Sequence, residues 1–176
     1  MSIFNLYQKV DYSVNNTDTI KGVDIHSVHI VKQSLKDFRG ISYRPYVVKN
    51  GERPDQVSYQ FYNTPDYDWI ILLVNDMYSV YDDWPKGDEA LLSYMVEKYG
   101  SLQTTQSTIK YYYNASGDII DFTTYTSLAP EQRTSETIYE YETRLNTNKS
   151  KIKVVRADLI GTIQTALRTF KSPILT

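Results

Sequence analysis

Cysteine is absent from this chain, which removes disulfides, thiolate metal sites and cysteine nucleophiles at one stroke and fits synthesis in a reducing cytoplasm. Histidine is almost absent. His26 and His29 sit three residues apart, a spacing that can hold a metal on one helix face, but two ligands make a weak site and no third is evident. They read instead as the polar flank of a helix, and with no other histidine a Ser/His/Asp arrangement cannot be assembled. No apolar run approaches bilayer-spanning length, Trp69 to Val74 being far too short, so no membrane partner is expected. Charge of one sign is also lacking: 19 basic against 21 acidic residues give a net charge of -2, and nothing draws the chain to nucleic acid. Lys149, Lys151 and Lys153 alternate with apolar residues and read as a solvated strand face. There is no glycine-rich phosphate loop, since Lys49, Asn50 and Gly51 form only a turn. The first residues lack the basic and apolar regions of a signal peptide, so the sequons at Asn15 and Asn114 are expected to stay unused.

What is abundant is tyrosine, 17 of 176 residues. Tyrosine buries a large ring while keeping a hydroxyl for a polar partner, which suits a surface that another protein will cover; the alternative is a β-rich domain using tyrosine for its strand propensity. With 41% hydrophobic residues the chain can bury a core.

The densest signals lie between Tyr43 and Pro85. Tyr46, Val47 and Val48 form a β-prone run that ends at Asn50-Gly51, a pair suited to positive φ. Pro54 suits a first helical position, and Val57 and Phe61 give that helix an apolar stripe. Thr64 can cap a second helix, with Pro65 at its first position and Asp66 and Asp68 near the positive end of its dipole. Trp69 to Val74 has no polar face, so it must be buried on all sides at the centre of a small core. Asn75 closes the helix, and a return strand is expected around Tyr78 to Tyr81.

Around this module the chain divides into six stretches. Residues 1–23 read as an extended, irregular arm and 24–40 as a helix started by Asp24 and stopped by Gly40. The module takes 41–86, and 87–105 is a helix from Asp88 to Tyr99 followed by a polar linker. At 106–127 the runs Ile109 to Tyr113 and Ile119 to Tyr125 flank Asn114 to Asp118 as a β-hairpin. The tail, 128–176, reads as a helix through Ile138, Tyr141 and Leu145, a strand at Ile152 to Val155, and an amphipathic helix with Leu159, Ile163, Ala166 and Phe170 on one stripe. The fold class is α+β.

The pattern Tyr46, Val47, Val48, Lys49, Asn50, Gly51, Glu52, then Val57 and Asn75, resembles the LysM module, a βααβ domain best known for binding N-acetylglucosamine polymers. Arg53-Pro54, the run Trp69 to Leu73, Asn75-Asp76 and Tyr81 to Pro85 narrow the likeness to the LysM-like baseplate wedge proteins of contractile-tailed bacteriophages. The run Tyr139 to Glu142, Leu145-Asn146 and Lys151 to Val155 resembles the C-terminal half of the same family. The resemblance implies a virion protein of the tail baseplate, assembled in the host cytoplasm. Its implied partners are other wedge proteins: it clamps the helical stem of one wedge and joins it to the next, in several copies around a ring.

Glycan binding is the competing reading. Its groove would be lined by Lys49, Gly51, Arg53, Asn75 and Met77, but Arg53-Pro54 replaces the usual small polar pair and Met77-Tyr78 adds bulk, so glycan is disfavoured. Asp66, Asp68, Asp76, Asp82 and Asp83 gather beside Trp69 and Trp84, and paired carboxylates near aromatic platforms are what a glycosidase needs. A helix N-terminus and a turn explain them, so no catalytic residue, metal or cofactor is assigned and the chain is not read as an enzyme. The aromatic residues expected at partner interfaces are Tyr62, Tyr67, Tyr78, Tyr81, Trp84, Tyr111 and Tyr113.

Overall fold

A computed structural model describes residues 9–14, 18–23 and 42–169. The elements begin with β1 (Lys9–Val14), β2 (Asp18–Val23), β3 (Tyr43–Val47), α1 (Pro54–Tyr62), a 3-10 turn at Pro65–Tyr67 and α2 (Asp68–Val74). They continue with α3 (Asp88–Tyr99), α4 (Leu102–Ser107), β4 (Ile109–Asn114), β5 (Ile119–Ile120) and α5 (Phe122–Ser127). After a 3-10 turn at Pro130–Gln132 come β6 (Arg133–Thr137), α6 (Ile138–Ser150), β7 (Lys151–Val155), a 3-10 turn at Ala157–Leu159 and α7 (Ile160–Thr169). The mixed α+β class expected from the sequence is therefore present.

The arm expected to be irregular contains an antiparallel pair, β1 with β2, in register from Lys9 opposite Val23 to Val14 opposite Asp18. Val10, Tyr12 and Val14 alternate with Lys9, Asp11 and Ser13, a period of two that the polar residues between the strands had obscured. The expected helix over 24–40, with His26 and His29, lies outside the described residues.

The chain divides into two compact units, and the described residues of the first are 9–14, 18–23, 42–48, 52–84 and 152–169. Its helices begin and end as their local chemistry requires. Arg53 caps α1, its N–H donating to Gln56 Oε1 at 2.9 Å, while Asn63 ends the helix at φ 56°, a left-handed conformation asparagine tolerates. Fully buried Ser58 donates to the Thr64 carbonyl at 2.7 Å and accepts from the Tyr67 N–H at 3.2 Å, fastening α1 to the following turn. Helix α2 buries Trp69, Ile70, Ile71 and Leu73. It supplies two apolar clusters: Trp69, Ile70 and Leu73 pack with Val155, Ile160 and Ile163, whereas Ile71 packs with Val48, Val57, Trp84, Ile152 and Val154.

The strand paired with β3 is β7, not a segment directly after α2. Tyr78 to Tyr81 is a turn: Asp83 Oδ2 accepts the N–H groups of Tyr78 and Ser79 at 2.8 and 2.9 Å, and the Asp83 N–H donates to the Ser79 carbonyl. Carboxylates so close in sequence offer these N–H groups a local acceptor that outcompetes a ladder. Strand β7 supplies what that turn cannot, burying Ile152 and Val154 while Lys151 and Lys153 stay exposed, as a solvated lysine face requires. Asn75 fixes its position. The Asn75 amide donates to the Ile71 and Lys153 carbonyls at 2.8 and 2.7 Å, and its Oδ1 accepts the Lys153 N–H at 2.8 Å, so one side chain imitates a neighbouring strand.

The second unit takes residues 49–51 and 85–151. Asn50 Oδ1 accepts the Asp88 N–H at 2.8 Å, and Gly87 allows that approach because a Cβ there would lie 3.1 Å from the Gly51 Cα. Asn146 repeats the device, accepting the Lys86 N–H at 2.7 Å and donating to its carbonyl at 2.8 Å. The expected two-stranded hairpin is part of a three-stranded antiparallel sheet, ordered β5, β4, β6. Its second strand stops at Ile120, because Asp121 caps a helix, α5, by accepting the Thr124 N–H at 3.0 Å. The polar linker expected after Gly100 is likewise partly helical, Ser101 capping α4 by accepting the Thr104 N–H at 3.1 Å.

Asn75→Ala is expected to lower stability in urea unfolding by about 2 kcal/mol, since it strips partners from backbone groups on α2 and β7. A variant as stable as the parent would show that the clamp contributes nothing.

Candidate interaction surfaces

The aromatic residues expected at interfaces fall into three structural situations. Tyr78 and Tyr81 are 69% and 87% exposed on the turn after α2, next to Val80 at 44%. Large rings so open to solvent gain from being covered by another protein. Tyr62 and Tyr67 are half-buried and pack edge-on at 6.0 Å; the Tyr62 hydroxyl donates to the Val155 carbonyl at 3.0 Å, and burial pushes its pKa up to about 12. Trp84 belongs to the core, its indole N–H donating to the Glu52 carbonyl at 2.7 Å, and has almost no surface to offer. Tyr46, Phe61 and Tyr62 pack against the same cluster, where Trp84 is the ring that is buried outright.

In the second unit Tyr111 and Tyr113 are half-buried on β4. Tyr111 meets the Tyr141 ring of α6 at 5.4 Å, and the Tyr113 hydroxyl donates to Glu136 at 2.7 Å. Glu136 also forms a two-point pair with Arg144 at 2.6 and 3.0 Å; these hydrogen bonds outweigh burial and hold its carboxyl below the usual range. On the opposite side of the strand Tyr112 packs on Phe122 and Tyr125 at 5.4 and 4.6 Å, and Arg133 covers Tyr125 at 4.8 Å. Phe122 and Ile119 remain 60% and 62% exposed, an apolar edge hidden in the sequence because Ile119 to Tyr125 has the composition of one strand.

The positions expected to line a glycan groove have other employment. Asn75 is spent on β7, Met77 packs against the second core cluster, and exposed Arg53 pairs with Asp55 at 2.7 Å. Lys49 and Gly51 belong to the second unit, where Gly51 adopts φ +70°. Among the described residues no group of three or more His, Cys, Asp or Glu is placed to hold a metal, and no helix is long and apolar enough to cross a membrane. Asp82 and Asp83 serve the turn, and Asp68 sits at the start of α2 with its pKa raised by burial.

The family model for base plate wedge protein 53 matches residues 2–127 of the 176. The chain belongs to this baseplate wedge family. Family membership makes it a structural protein of the phage tail baseplate. The baseplate wedge protein gp53 of Enterobacteria phage T4 is 27% identical over 122 residues, an alignment covering 66% of this chain. The alignment spans 60% of that relative's length. The matched family segment ends with α5, leaving β6, α6, β7 and α7 outside it.

One buried charge in this wedge-family protein permits a test. Glu142 is 5% exposed and accepts from Tyr99 Oη at 2.5 Å and from Lys98 Nζ at 2.9 Å. Burial pushes its pKa up, but the two hydrogen bonds win and hold it below the ordinary 4.5. A lowered carboxylate stabilises the fold above its unfolded pKa, and that contribution is lost as the pH falls through the folded value. Lys98→Met is expected to cost about 2 kcal/mol at neutral pH, and less when combined with Glu142→Leu, because the second change removes the stranded charge. Urea unfolding across pH 3 to 7 checks this, with the double variant losing less stability in acid than the parent; equal acid sensitivity would show that Glu142 contributes no pH dependence.

Proposed function

We propose that the chain clamps the helical stem subunits of one baseplate wedge and joins that wedge to its neighbour, several copies completing a ring in a contractile tail. The match to the wedge family over residues 2–127 carries this reading. Exposed Tyr78 and Tyr81 in the first unit, and the rings on both sides of β4 in the second, give each unit a surface of the aromatic kind that dominates protein interfaces. The first unit's order of strand, helix, helix and pairing strand supports a LysM-like core turned to protein contact. The employment of Asn75 and Met77 in that core is the reason to set glycan aside. Its work is assembly, with no catalytic step or cofactor.

The test is genetic and visual. Removing the gene from the infecting phage is expected to leave wedges that form but do not close into complete baseplates under electron microscopy. Normal tails in its absence would overturn the proposal. Tyr78→Ala with Tyr81→Ala is expected to reproduce the defect while the purified protein keeps its unfolding midpoint, both side chains being exposed.

A further inference from the structure

Strand β4 carries an irregularity with a chemical outcome. Ile109 stands opposite Thr137 and Tyr111 opposite Glu136, so Lys110 is an extra residue in a β-bulge. Bulges re-aim side chains, and this one turns the ammonium group onto the side of the sheet covered by α6. Lys110 Nζ lies 5.6 Å from the centroid of Tyr111 and 5.6 Å from that of Tyr141. Arg144 covers Tyr141 at 5.4 Å.

The nearby carboxylates are committed elsewhere. Glu136 is taken by Arg144 and the Tyr113 hydroxyl. Glu142, whose carboxylate feels the charge of Lys110, is buried and bonded to Lys98 and Tyr99. Among the described residues Lys110 has no ion-pair partner, and it is exposed. Two aromatic rings orient the ammonium group without neutralising it.

The geometry points to Lys110, on its platform of Tyr111 and Tyr141, as the contact point for a carboxylate-bearing segment of a partner protein. One oriented cation suits a single carboxylate laid beside aromatic rings. A polyanion such as nucleic acid needs several cations in a row, and here Glu136 stands opposite Tyr111 and the Glu142 carboxylate feels the charge of Lys110. This inference rests on the wedge reading, for which it supplies a polar contact beside the aromatic ones.

The experiment uses the full chain and purified wedge complexes from the same phage, assembled without it. Association of the parent, Lys110→Glu, Lys110→Met and Lys110→Arg is measured at low and high salt, after unfolding curves confirm that each variant is folded. The glutamate variant is expected to bind about tenfold more weakly at low salt, with the deficit shrinking at high salt, and the arginine variant to match the parent. Parent-like binding by the glutamate and methionine variants would overturn this inference and leave the wedge reading intact. A parent chain that fails to join the wedges would overturn both. A single-stranded DNA probe run in parallel, if bound by the parent and released by Lys110→Glu, would assign the site to nucleic acid and equally overturn it.

Discussion

The pairing of β7 with β3 is the constraint on which the first unit depends. Helix α2 has no polar face, so it needs apolar neighbours on every side, and the segments before it cannot provide them all. Strand β7 completes the enclosure by giving Ile152 and Val154 to one cluster and Val155 to the other, with Ile160 and Ile163 following directly. The polar side of the same junction is carried by Asn75, whose amide meets both the N–H and the carbonyl of Lys153. Burial supplies the bulk of the stabilisation, and the amide supplies the register, since a slip of one residue along β7 would exchange Ile152 and Val154 for the lysines.

Side-chain amides recur where the chain must be held without a regular ladder. Asn75 links α2 to β7, Asn146 links α6 to Lys86, and Asn50 meets the first residue of α3. In each case one donor and one acceptor on a short, stiff side chain satisfy groups that would otherwise be left unpaired. A long polar side chain could make the same bonds at a greater cost in rotamer freedom.

The local elements were legible in the sequence because their causes are local. Pro54, Pro65 and the apolar run of α2 mark helices wherever the rest of the chain goes, and the tail's helix and strand declare themselves by period alone. What could not be read was partnership. Tyr78 to Tyr81 has the composition of a strand, and only the competing carboxylate of Asp83 turns it aside. Ile119 to Tyr125 reads as one strand until Asp121 is recognised as a cap inside it. The aromatic residues chosen as anchors divided in the same way, Tyr78 and Tyr81 on the surface and Trp84 in the core, because aromatic composition does not tell which side of a cluster a ring will occupy.

The interruption of the first unit also bears on the order in which the protein acquires its structure. Between Trp84 and Ile152 the ribosome must deliver the whole segment Pro85–Lys151 before the core around α2 can close. Compared with a tight connection, joining β3 to β7 across so long a flexible chain costs about 2 kcal/mol more in loop entropy. A segment that has already folded, with Asn50 fastened to Asp88 and Lys86 to Asn146, reduces that loop to three short stretches of chain. Because the strand that closes the core is translated after the inserted unit, the part of the molecule that is made first is the part that waits for its partner.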